Sequence, residues 1–217
     1  MPPLLRLTED VIRDDAGEIF LPSLPRLIFI THGDLNIAGR SFAAGEAWAG
    51  EEAVTLSAGT HGACCWRWEL VSNDSDGPLA SDRISSRAKL LARLDTVPPG
   101  DLLLRGDSVA FPPGGCAYRH MHQGPGIRCL VEGGIRIDTA GHSTSYGPGG
   151  AWYESGPEPV FAQAAMDRPS RFIRVMILPR ALIGKSSIRY VDEADKDKPR
   201  TQAYKIFADM PIAYRSS

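Results

Sequence analysis

The stretch RLIFITHGDLNIAG, residues 26–39, has a counterpart later in the chain, IRCLVEGGIRIDTAG at residues 127–141. Aligned, His32-Gly33-Asp34 stands against Glu132-Gly133-Gly134, and AAGEAWAG then falls against GPGGAWYE, pairing Trp48 with Trp152. The offset grows from 100 to 104 across this region, so one hairpin of the second copy should be four residues longer. Both copies are rich in β-branched and aromatic residues and punctuated by Gly, Asn and Pro, the signature of short strands joined by tight turns. A chain so built is constrained to an all-β architecture, and the echo predicts a duplication of one β-barrel half. Similarity between unrelated strands is the competing explanation, since two copies are few.

The chain has 22 glycines and 17 prolines in 217 residues, spread without any low-complexity segment, which fits many turns between short strands. A net charge of −2 gives no reason to expect nucleic acid or an anionic membrane as partner. The N-terminal MPPLLRLTEDVIRDD has acidic residues where a signal peptide would be apolar, and no run approaches 18 apolar residues. A soluble, cytoplasmic protein is the expectation. Cys64, Cys65, Cys116 and Cys129 form no C-x-x-C pair and read as free thiols in a reducing compartment.

In order, residues 1–72 read as a β half whose histidines, His32 and His61, fall in turns. Residues 73–99 read as a linker, NDSDGPLA, followed by a short helix. Ser81 or Asp82 would cap it, Ile84, Ala88, Leu91 and Leu94 would form its apolar stripe, and TVPPGD would end it. Residues 100–180 are β throughout. The tail, 181–217, holds one more short strand in SSIRYV, a charged loop DEADKDKPR and an amphipathic end, QAYKIFADMPIAY. Such a tail either crosses to a second subunit, making a homodimer, or docks on its own chain.

The chemistry-bearing stretch is FPPGGCAYRHMHQGPGIRCLVEGG, residues 111–134. On a strand, His120 and His122 share one face by period-two alternation, which is half of a metal site. This stretch resembles the first motif of the cupin superfamily, G-x5-H-x-H-x(3,4)-E-x6-G, at Gly114, His120, His122 and Gly133. Gly126 occupies the place of the family's metal-binding Glu. A second motif, G-x5-P-x-G-x2-H, is matched more weakly by GGAWYESGPEPV at 149–160, with Val160 where the family's last histidine stands. The resemblance implies a double-stranded β-helix or jelly-roll barrel over about residues 100–180. With the duplication it implies a bicupin whose first barrel is degenerate and metal-free, FLPSLP standing where H-x-H would be.

The resemblance also implies a divalent metal (Fe, Mn, Zn or Ni) on His120 and His122, although two of four family ligands are replaced. With one carboxylate, the pair would make a two-His-one-carboxylate set suited to Fe(II) or Mn(II). Alternation turns Arg128 and then Leu130 inward. A buried arginine needs an anion, which is either an acidic substrate or an internal acid, Glu154 or Glu132. Of Tyr153 and Glu154 one must face inward. Glu154 could replace the missing carboxylate or act as general base, and Tyr153 could donate a proton or stabilise an oxyanion. Either could instead pack in the wall or lie in solvent. Gln163 and His142 are weaker candidates. Gly124-Pro125-Gly126 either opens space beside the histidines or is a turn needing positive φ. Two functions follow: a metal-dependent enzyme, dioxygenase- or isomerase-like, on a small anionic substrate, or a metal-free cupin that binds a small molecule or is structural.

Overall fold

In the computed structural model, which describes residues 2–72 and 79–216, the chain divides into two units, Met1–Leu94 and Asp95–Ser217. The first unit contains β1 (Leu4–Ile12), β2 (Ile19–Leu21), β3 (Arg26–Ile37), β4 (Arg40–Ala43), β5 (Ala47–Gly50), β6 (Val54–Val71), β7 (Ala80–Ser81) and β8 (Ile84–Arg93). They form one antiparallel sheet in the order β4-β3-β6-β1-β8-β7, with β2 also on β6 and β5 on β3. The second unit contains β9 (Gly100–Phe111), β10 (Cys116–His122), β11 (Gly126–Glu132), β12 (Ile135–Thr139), β13 (His142–Tyr146), β14 (Ala151–Glu154), β15 (Val160–Ala164), β16 (Ser170–Pro179), β17 (Ile188–Tyr190) and β18 (Ala203–Ser216). These make two five-stranded sheets, β13-β12-β15-β10-β17 and β14-β11-β16-β9-β18.

Registers show the duplication residue by residue. Ile28 pairs with Trp48 and Arg67 in the first unit, and Arg128 pairs with Trp152 and Arg174 in the second. The four extra residues lie in the β12–β13 hairpin, which gains two rungs over β3–β4: Ile37 faces Arg40 directly across its turn, whereas Ile137 faces Thr144. Long β3 and β6 of the first unit correspond to the broken pairs β11/β12 and β15/β16. The corner in each unit is a glycine with positive φ, Gly33 at 70° and Gly133 at 82°. A Cβ there would lie 2.2 Å from a backbone oxygen, of Gly62 or of Pro169, so only glycine turns this corner.

Two sequence expectations are corrected. Residues 84–93 form strand β8, antiparallel to β1, and not a helix; of the residues that suggested a helical stripe, Ala88 and Leu91 are exposed and Leu94, just past the strand, is buried. Pairing along the β1 edge outweighs local helix propensity. The preceding linker segment 73–78 lies outside the described residues. His32 and His61 lie within β3 and β6, beside the bulges of these long strands, rather than in turns. The tail is divided among β17 on β10, a short 3-10 turn at Glu193–Asp195, and β18 pairing along β9 of its own chain.

The interiors are filled differently on matching scaffolds. Leu21 faces Val54 in the first unit as His120 faces Val160 in the second. Leu21, Ile28, Trp48 and Leu56 belong to an apolar core. Farther along the same strands, Arg6, Arg26 and Arg67 surround Glu69 and Asp10, all buried; Arg6 donates to Glu69 at 2.8 Å and Arg67 to Asp10 at 2.7 Å. Burial raises the Glu69 carboxyl, but Arg67, Arg6 and Arg26 bring it below its ordinary value. In the second unit Val109, Phe111, Leu130, Trp152 and Phe172 close one end of the interior, and Leu103, Met176 and Leu178 the other.

Candidate functional site

Between those apolar ends lies a polar layer. His120 and His122 project from one face of β10, and each is 5% exposed. The His120 Nδ1 lies 2.7 Å from the Tyr118 carbonyl, which can only accept, so Nδ1 carries the proton and Nε2 is left as acceptor. The two Nε2 atoms are 3.2 Å apart, so His122 donates from Nε2, and its Nδ1 accepts from the Ser187 hydroxyl at 3.2 Å. Both rings are thereby satisfied in the neutral form. Burial lowers the His120 pKa, which the Glu154 charge opposes, and lowers that of His122 well below the ordinary value, with Arg174 and Arg128 adding to the effect.

Alternation along β14 turns Trp152 and Glu154 inward and leaves Tyr153 on the other face, half-buried near Thr96. Tyr153 is therefore not brought to the histidines. Glu154 is: Oε2 lies 3.6 Å from His122 Nε2, and Oε1 accepts the Trp152 indole N–H at 2.9 Å. The same Oε2 is 2.8 Å from Nη2 of Arg128, which is 1% exposed and whose Nη1 donates to the Gly126 carbonyl at 2.7 Å. Arg128 thus has an internal acid, Glu154, while Glu132 pairs with Arg171 at the surface. The ion pair lacks hydrogen-bond alignment, so Arg128 Nη2 and Glu154 Oε2 keep unused hydrogen-bonding capacity. Burial lowers the Arg128 pKa to about 10. Beside it Arg174 grips Asp107 through two bonds of 2.9 and 2.7 Å. These groups enclose a cavity of about 20 Å³, room for one water-sized species and no more.

The remaining candidates sit elsewhere. The Gln163 amide donates to the carbonyls of Gly114 and Gly115, and His142 is exposed at the start of β13. Gly126 neither opens space nor has positive φ: a Cβ there would lie 2.3 Å from the Val175 carbonyl oxygen, because β16 approaches closely. No glutamate fits at this position. Val160 belongs to the apolar core. Among the described residues no group of three or more His, Cys, Asp or Glu is arranged to hold a metal ion. The two imidazoles suit a divalent ion, but the one carboxylate within reach is bound by Arg128, so the residues as arranged do not fit the metal that the family resemblance implies.

Sequence reading missed the larger feature. A groove of about 740 Å³ opens in the second unit where β17, β18 and the segment before β17 meet β9 and β10. Six cationic side chains line it, among them Arg105, Lys185, Arg189 and Arg200, against a single acid, Asp107. Tyr190, Tyr204, Ile188 and Ile206 supply apolar and aromatic surface. Arg105 is held by Asp209 and by the Leu182 and Lys185 carbonyls, and Arg200 stacks over Tyr190 at 5.6 Å. Arg174, Ile188 and Tyr204 line both the groove and the inner cavity, so the polar layer lies directly behind the groove floor. Burial raises the Tyr204 phenol above its ordinary value, with Arg174 opposing.

No protein-family model matches the sequence, and no curated protein does. Solved structures do. AerE from Microcystis aeruginosa superposes with a TM-score of 0.59 at 10% identity, over 82% of this chain and 89% of that one. A cupin 2 conserved barrel domain protein from Leptotrichia buccalis gives 0.50 at 14%, over 82% and 85%. A salicylate 1,2-dioxygenase from Pseudaminobacter salicylatoxidans gives 0.56 at 10%, over 81% and 71%. At such identities the likeness concerns architecture, and with its two matching β units the chain is a cupin-fold protein.

Proposed function

We propose that the second unit binds a small organic anion in the cationic groove, with a carboxylate or similar group met by Lys185, Arg189 and Arg200, above Arg174 and the polar layer behind it. The observation that carries this reading is the charge of the lining on a concave surface of ligand size: with Arg174, Arg105 and Lys196 paired to Asp107, Asp209 and Glu193, Lys185, Arg189 and Arg200 stand without an acidic partner among the described residues. The acid, Asp107, is already neutralised by Arg174. Tyr190 and Tyr204 suit a ligand with a flat apolar part. The inner cavity is too small for a substrate, so Arg128, paired there with Glu154, makes no direct contact with the ligand. Metal-free binding is the form of this function that the ion pair favours.

A second reading, a metal-dependent enzyme on the same anion, is favoured by one distance. The 3.2 Å between the two Nε2 atoms is the span that neighbouring ligands of one ion make, given metal–nitrogen bonds of roughly 2.1 Å. Two cupin-fold neighbours, an oxalate decarboxylase and the salicylate 1,2-dioxygenase, are named for small carboxylates, and those names support the anion in both readings. Calorimetric titration with benzoate tests the groove. Lys185→Glu combined with Arg200→Glu, both exposed positions, is expected to weaken binding at least ~10-fold. Unchanged affinity would remove the groove from the account.

A further inference from the structure

We infer that Arg128 is the resident cation of the second unit's interior and keeps His120, His122 and Glu154 from holding a divalent metal. This concerns the closed inner layer and does not depend on the groove binding an anion. Three donor atoms already converge there, the two Nε2 at 3.2 Å and Glu154 Oε2 at 3.6 Å from His122. What distinguishes them from a metal set is the guanidinium 2.8 Å from the same Oε2. A divalent ion in the cavity of about 20 Å³ would lie against that fixed positive charge, with Arg174 lining the same space. It would also lose the carboxylate whose charge must offset its own.

Neither position where the family resemblance puts a further ligand supplies one. The backbone of β16 fills the space beside Gly126, and Val160 is apolar core. Arg128 is well anchored, since Nη1 donates to the Gly126 carbonyl and burial leaves the side chain no alternative site. The duplication gives an internal contrast. The first unit has Ile28 where the second has Arg128, and Gly50, which faces Arg26, where Glu154 faces Gly126. Arg128 and Glu154 are therefore present together in one copy and replaced together, by Ile28 and Gly50, at the matching register positions of the other.

The test is a cobalt(II) titration of the full chain, read by visible absorption and by metal-dependent melting. Wild type should take up no stoichiometric cobalt. Arg128→Met should bind one equivalent at least roughly 100-fold more tightly, and cobalt should raise its melting temperature but not that of wild type. Arg128→Met with Glu154→Gln should lose the site, and Arg128→Lys, which keeps the charge, should behave as wild type. If Arg128→Met does not fold, Arg128→Gln carries the same expectation. Stoichiometric cobalt on wild type, a folded neutral variant that gains none, or equal gain in Arg128→Lys would each overturn the inference.

Discussion

Arg128 and Glu154 should behave as one unit when the protein is unfolded. The two side chains are 1% and 10% exposed, and their charged atoms are 2.8 Å apart. At an effective dielectric near 20 the attraction is about 6 kcal/mol, most of which offsets the cost of removing both charges from water. Removing one partner leaves the other charged, buried and unmatched, which costs about 3–5 kcal/mol. Glu154→Gln keeps an acceptor for the Trp152 indole, so about 3 kcal/mol is expected; Arg128→Met also strands the Gly126 carbonyl and should reach the upper end. The double variant removes both charges and should cost about 1–2 kcal/mol, a coupling of about 6 kcal/mol, the size of the attraction itself. For a chain of this length each kcal/mol is roughly 2–4 °C in melting temperature, so either single variant should melt about 6–20 °C lower. Urea unfolding of the four proteins measures the cycle. Additive costs, or single variants within ~1 kcal/mol of wild type, would refute the pair as a coupled unit.

Ile28→Arg places a guanidinium at the position matching Arg128, but within an apolar core and across from Arg67, so a loss above ~4 kcal/mol or a failure to accumulate soluble protein is expected; a variant as stable as wild type would contradict the register argument. The histidines set a pH dependence. Both are neutral in the fold with values below the ordinary 6.5, so the unfolded chain takes up protons first as pH falls. Their contribution is complete above about pH 6.5 and is lost as pH falls toward the folded values, at no more than ~2.7 kcal/mol per unit for two protons. Urea midpoints between pH 7.5 and 5 should fall in wild type and flatten in His120→Gln with His122→Asn; a flat wild-type profile would show that the rings do not titrate as argued. We also propose a homodimer in which β18 exchanges between copies, and light scattering of wild type should give twice 23.5 kDa. Deletion of residues 182–217 should return one chain's mass, and an unchanged dimer would assign the contact elsewhere.

The duplication was legible because sheet pairing acts through period-two patterns and glycine corners, and both survive divergence: Gly33 and Gly133 align in sequence and turn the same corner in space. Alternation also placed His120, His122 and Arg128 on the inner face and offered Glu154 as a partner for the arginine. Residues 84–94 misled because an apolar spacing of four, three and three is helical only if no strand edge competes, and β1 presents one. The crowding at Gly126 comes from β16, some fifty residues away, and a missing side chain in sequence does not say whether it leaves a hole or a tight contact. The groove was invisible for the same kind of reason. Its walls are β17 and β18, read from sequence as a tail, and only their pairing with β10 and β9 brings Tyr190, Arg200 and Tyr204 over Arg174.

The central claim is that the second unit recognises negative charge, and comparing a carboxylate with its neutral amide tests it most directly. Wild-type protein is titrated calorimetrically with benzoate and with benzamide at low ionic strength, where surface charge is least screened. The account predicts that benzoate binds, that benzamide does not, and that added salt weakens the acid alone. Equal binding of both, or binding of neither across a series of such acid–amide pairs, would contradict it.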